Sequence, residues 1–135
     1  MPAVDAEGRP VVAVDLGATT TRVALFGPGG EIIARVTSPT PVSGDSPEII
    51  TRYLAGLIRR MFPRGGDPSP AAIGVSACGP IDHHRGSVVR PPNLPFREIP
   101  LAGPLGQEFG IPVRLANDCH GSIQEGPGTS QKPPQ

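Results

Sequence analysis

The chain has 135 residues, and Gly and Pro together make 37 of them, a share at which sequences without a repeat are usually disordered. Leu, Ile, Val and Phe still supply 33 residues, enough for a core, and the length suits one domain or part of one. Twelve basic and twelve acidic side chains cancel, so charge argues for neither a nucleic acid nor an anionic membrane as partner.

Residues 1–10 are small, charged or turn-forming and predict a disordered lead-in. Val11 to Leu16 is a short β-branched run suited to a buried strand. Gly17-Ala18-Thr19-Thr20 interrupts it, Thr21 to Phe26 predicts a second strand, and Gly27-Pro28-Gly29-Gly30 is a turn signal before a third strand over Glu31 to Thr37. Strands joined by such tight turns form an antiparallel meander. Pro39 to Pro47 is a loop, with Ser46 placed to cap a helix and Pro47 at its first position. From Glu48 onward Ile49, Ile50, Tyr53, Leu54, Leu57, Ile58 and Met61 recur at helical spacing. Pro63 to Pro70 ends that helix, and Ala71 to Ala77 predicts a fourth strand closing on Cys78-Gly79-Pro80.

Ile81 to Pro100 is irregular, with a hairpin suggested around Arg85-Gly86. Leu101, Leu105 and Phe109 fall four apart and predict a short helix, capped by Gly110; Val113 to Ala116 is a fifth strand with Asn117-Asp118 at its end. Beyond that the pattern dissolves into Gly- and Pro-rich sequence. A meander continued by helix-connected strands implies a mixed five-stranded sheet with flanking helices, an α/β fold.

The absence of an apolar run near the ~20 residues of a membrane span, and of a signal-peptide pattern, makes a soluble, cytoplasmic, reduced chain the expectation. Cys78 and Cys119 make no disulfide scaffold and show no zinc spacing, and His83, His84 and His120 have no metal partner at ligand spacing. Of the twelve basic residues only Lys132 is a lysine, and no P-loop motif occurs, which removes the P-loop nucleotidases.

Three patches could carry chemistry. Asp15-Leu-Gly17-Ala-Thr19-Thr20-Thr-Arg22 offers backbone N–H groups and hydroxyls suited to phosphate oxygens, with a carboxylate able to hold a hydrated Mg²⁺; an ordinary hairpin is the structural alternative. Asn117-Asp118 stands at a strand's carboxyl end, where ligands of open α/β sheets gather and a carboxylate can accept a hydroxyl proton; a helix cap is the alternative. Gly79-Pro80 with the loop Pro91-Pro-Asn93-Leu-Pro95 holds an amide able to meet sugar hydroxyls, or is only a stiff surface loop.

In this order and spacing, Val12–Leu25, Gly74–Asp82 with Gly86-Ser-Val-Val, Pro92–Pro95 with Ile99-Pro-Leu, and Gly110–Asp118 resemble the N-terminal half of the ROK family of sugar kinases and repressors. The resemblance implies a ribonuclease-H-like, actin-like ATPase fold over residues 11–118, as a single incomplete lobe, followed by a divergent, largely disordered tail over 119–135. It implies ATP and Mg²⁺ as cofactors and a hexose as substrate. Asp118 is then the general base, Asp15, Gly17, Thr19, Thr20 and Arg22 surround the phosphates, and Gly79, Asn93 and Asn117 face the sugar. Ala18 departs from the family, which often has a second Gly there. The second lobe, with its cysteine zinc cluster and adenosine pocket, is missing, so a truncated half-kinase, inactive alone, is the expectation; a non-catalytic sugar- or phosphate-binding fragment or degenerate remnant is the alternative. Only ten residues precede Val11, too few for the DNA-binding module of the family's repressors. A sheet face left uncovered by the tail would favour association into a homo-oligomer.

Overall fold

The structure, a computed structural model, describes residues 8–41, 46–62 and 70–117. The meander forms β1 (Val11–Leu16), β2 (Thr20–Phe26) and β3 (Ile32–Pro39); then come α1 (Glu48–Arg59), β4 (Ile73–Ala77), β5 (Ile81–Asp82), β6 (Ser87–Val89), β7 (Glu98–Pro100), α2 (Ala102–Phe109) and β8 (Val113–Asn117). One sheet has the order β3-β2-β1-β4-β8, antiparallel across β1–β2 and β2–β3 and parallel across β1–β4 and β4–β8. The crossover through α1 and the one through α2 account for the two parallel pairings.

Alternation on the strands separates the two faces of this sheet. Val12, Val14 and Leu16 share one face with Val23, Leu25, Ile73 and Val75 through the registers of β1 with β2 and β4. All are buried in a single cluster with Ile50, Leu54, Leu57 and Ile58 of α1 and Leu105 of α2. The helices therefore cover this face. The other face carries Ala13, Ala24, Gly74, Ser76 and Ala116 around the Asp15–Arg22 pair, small residues over which no helix lies among the described residues.

Two sequence expectations change. The stretch 81–100 is not irregular: the hairpin suggested around Arg85-Gly86 is present as β5 and β6, and β7 joins it to form a second, antiparallel sheet. Its strands are two or three residues long, below the length at which alternation can be recognised. It is tied to the main body where the Gly86 carbonyl accepts the N–H groups of Leu101 and Ala102, and where the Thr51 hydroxyl donates to the Pro100 carbonyl at 2.8 Å. Ser46 does not cap α1 through its side chain. Pro47 occupies the cap position with helical φ −65°, and no side-chain cap bond forms. The Ser46 hydroxyl instead bonds the Glu48 carboxylate; that bond first, then the residue's own amide, lowers the Glu48 pKa.

Where α1 ends, Phe62 stacks on Phe109 of α2 with ring centroids 5.1 Å apart, Arg59 lies over the same ring, and Arg59 pairs with Glu108. Gly110 closes α2 as expected, in left-handed conformation.

Candidate functional site

The parallel strands end in register. Leu16 of β1 pairs with Ala77 of β4, and Ala77 with Asn117 of β8. The turn after β1, the Cys78-Gly79-Pro80 segment after β4 and the end of β8 are thus brought to one edge of the sheet. That is where α/β sheets present ligand-binding groups.

The first of these, Gly17 to Thr20, is a two-residue hairpin turn with an unusual hydrogen-bond set. The Gly17 N–H donates to the Thr20 carbonyl at 3.1 Å, so this amide serves the turn and is not offered outward. The Gly17 carbonyl accepts from the Thr40 hydroxyl at 2.7 Å, and the Thr19 carbonyl from the Thr40 N–H at 2.9 Å. The amides of Ala18 and Thr19 make no backbone hydrogen bond among the described residues. A Cβ at Gly17 would stand 2.4 Å from the Thr20 carbonyl oxygen, so the glycine is required by close approach. Thr19 is exposed, and Thr20 half-buried. Asp15 and Arg22 face each other across the β1–β2 register with carboxylate and guanidinium 3.4 Å apart, both well exposed. They project to the sheet face opposite the helices, two residues back from the turn along the strands.

Gly79 is buried with φ +133°, and a Cβ there would meet Pro91 Cα at 3.1 Å and Val88 Cγ1 at 3.3 Å. The fold therefore seats the Pro91–Pro95 loop directly against the β4 end, joining the two halves of the third patch. The Arg90 N–H donates to the Arg97 carbonyl at 2.7 Å and closes that loop. Asn93 is exposed at its tip with φ +67°, a conformation Asn adopts more readily than most residues, so the backbone supplies its own reason for an asparagine. Asn117 is exposed at the end of β8. Asp118, Cys119, His120 and the tail lie outside the described residues. The sequence reading held Thr21 only as part of the turn motif and left Thr40 in a loop; only the pairing of β2 with β3 brings their two hydroxyls together at the turn.

Comparison with known proteins agrees with this arrangement. The ROK family profile matches residues 11–124, most of the chain.

The chain belongs to the ROK family.

Among its relatives, a glucokinase from Pyrobaculum calidifontis is 36% identical over 112 residues, which cover 83% of this chain and 33% of the relative. A xylose repressor from Caldicellulosiruptor bescii is 26% identical over 112 residues, 82% of this chain and 28% of the repressor. A ROK family glucokinase from Streptomyces griseus, solved in complex with glucose and AMPPNP, superposes with a TM-score of 0.67 at 27% identity, over 80% of this chain and 33% of that one. The fold is that of ROK sugar kinases, actin-like ATPase in type, and the chain spans about a third of the length of the curated relatives it matches.

Proposed function

We propose that this ROK chain is one lobe of an ATP-dependent hexose kinase, glucokinase-like, which passes a phosphoryl group from ATP to a sugar hydroxyl. The observation that carries the reading is the in-register row Leu16, Ala77 and Asn117, which gathers the Gly17–Thr20 turn, the Gly79 loop and the β8 end at one sheet edge. The turn offers the amides of Ala18 and Thr19 and the hydroxyls of Thr19 and Thr20 to phosphate oxygens, with Arg22 adding positive charge nearby. Asn117 and Asn93 donate to and accept from sugar hydroxyls. Asp118, next after Asn117, takes the proton from the attacking hydroxyl while the bond from the γ-phosphorus to the leaving oxygen breaks.

Mg²⁺ fits these donors as a hydrated ion. Asp15 is the carboxylate at the turn, and no three His, Cys, Asp or Glu side chains converge among the described residues, so phosphate oxygens and water would complete the shell. Bound there, it neutralises charge on the phosphates. With so few groups to do covalent work, rate comes from alignment of donor and acceptor, and misplacement alone costs about 10²-fold. The 135-residue chain, a third of its relatives' length, supplies one wall of that alignment and by itself turns over no hexose.

The test pairs a coupled glucose-phosphorylation assay with calorimetric titration of glucose. Saturable glucose uptake, weakened by Asn117→Ala, without turnover above a boiled control is the expected result. In a protein completed by a ROK second lobe, Asp118→Asn should keep sugar affinity and lose about 10²–10⁴-fold in rate. Retention of more than about a tenth of the rate would make Asp118 a cap and not a base. The similarity to a xylose repressor favours one second reading, a lobe that binds sugar without chemistry; sugar binding with a completed protein still inert would select it.

A further inference from the structure

We infer that Thr40, twenty residues beyond the strand-end turn, is the positioning residue that aims that turn's amides at phosphate. The inference rests on the reading of the turn as a phosphate cradle. Thr40 follows the last pair of the β2–β3 ladder, Thr20 with Pro39, which sets it beside the turn. It is buried, as is Thr21, and the two hydroxyl oxygens stand 2.7 Å apart. The Thr40 hydroxyl also lies 2.7 Å from the Gly17 carbonyl oxygen, which can only accept. A hydroxyl has one proton, so Thr40 gives its proton to Gly17 and must receive one from Thr21. The relay has a single direction: Thr21 to Thr40 to the Gly17 carbonyl.

This relay decides where the turn's peptides point. In a trans peptide the C=O and the N–H of the next residue point opposite ways. Fixing the Gly17 carbonyl on the Thr40 hydroxyl therefore turns the Ala18 N–H to the other side. Fixing the Thr19 carbonyl on the Thr40 N–H does the same for the Thr20 N–H. An ordinary two-residue hairpin would close with a bond from the Thr20 N–H to the Gly17 carbonyl; among the described residues that bond is not made, and Thr40 holds the carbonyl instead. Carbonyls drawn inward and amides turned outward is the arrangement an anion needs. Thr40 makes it without touching the ligand.

The test uses the full 135-residue chain with Thr40→Val, which keeps shape and loses the hydroxyl, Thr40→Ser, which keeps the hydroxyl, and Thr51→Val as control. Thr51→Val removes a comparable hydroxyl-to-carbonyl bond, one that joins α1 to β7 and involves no residue of the turn. Magnesium tripolyphosphate is titrated and followed at the Ala18 and Thr20 amide resonances, the two N–H groups that the held carbonyls orient, and exchange of the Gly17 amide is measured without ligand. Thr40→Val should weaken tripolyphosphate binding about tenfold and speed Gly17 exchange about tenfold, the size of one hydrogen bond; Thr40→Ser should restore both and Thr51→Val change neither. Equal affinity in wild type and Thr40→Val, or failure of Thr40→Ser to restore it, overturns the inference. If wild type itself gives no response to tripolyphosphate, the phosphate reading fails, and Gly17 exchange alone decides Thr40: unchanged exchange in Thr40→Val overturns its positioning role.

Discussion

Replacing Gly17 by Ala is the smallest change that opposes the strand-end turn. The added Cβ would lie 2.4 Å from the Thr20 carbonyl oxygen, a backbone atom that cannot swing aside as a side chain would. Relief requires Gly17 and Thr20 to move apart, which stretches the 3.1 Å bond between them and disturbs the bond that the Gly17 carbonyl accepts from Thr40. Overpacking of this kind costs about 1–3 kcal/mol, and a lost hydrogen bond adds about 1 kcal/mol. A loss near 3 kcal/mol with a urea m-value of about 2 kcal/mol/M lowers the unfolding midpoint by about 1.5 M. Gly74→Ala is the matched comparison. Gly74 lies in β4 on the open sheet face with nothing within 4 Å of its Cβ position. There the same methyl should stabilise by about 0.5–1 kcal/mol, since glycine weakens a strand interior. Urea unfolding of both variants decides the matter. A Gly17→Ala midpoint within about 0.2 M of wild type, or a larger loss at Gly74 than at Gly17, would refute the argument from close approach.

Two further outcomes follow from particular side chains. The Tyr53 hydroxyl is buried without a hydrogen-bond partner among the described residues, so Tyr53→Phe should leave stability unchanged or raise it by about 1 kcal/mol in thermal unfolding, and a clear loss would mean the hydroxyl is bonded in solution. The hydrogen bond from Ser46 lowers the Glu48 pKa, so its contribution to α1 is present above the unfolded-state pKa and is lost as pH falls through the folded one. Ser46→Ala should raise the Glu48 pKa in an NMR titration; an unmoved value would remove Ser46 as the cause.

The main sheet was legible because each of its strands carries its own signal. Val11–Leu16 holds three valines in six residues, and the Gly-Pro-Gly-Gly turn between the second and third strands leaves little choice of pairing. The α1 stripe was readable for the same reason, since its apolar residues pack where their spacing puts them. Of the small second sheet only the hairpin around Arg85-Gly86 was readable; its closure by β7 was not, because strands of two or three residues have no periodicity and exist only through their partners. Ser46 misled because it has the composition of a cap, while Pro47 after it takes the cap position itself. At the site, Gly17, Gly79 and Asn117 could be named from local motifs, and the structure adds physical reasons for both glycines. Thr40 could not be named. Its role depends on a contact between residues 17 and 40 that only the folded ladder creates.

If this chain works as proposed, the turn, the Gly79 loop and the β8 end form one ligand-binding edge. Backbone amide resonances of the chain, recorded during titration with Mg·ATP and then with glucose, measure that claim residue by residue. The prediction is that ATP moves Ala18, Thr19 and Thr20, that glucose moves Gly79, Asn93 and Asn117, and that the amides of Ile32 and Ile33 at the far end of β3 stay still. Shifts centred on β3 or the open sheet face, with the strand-end residues unmoved, would contradict it.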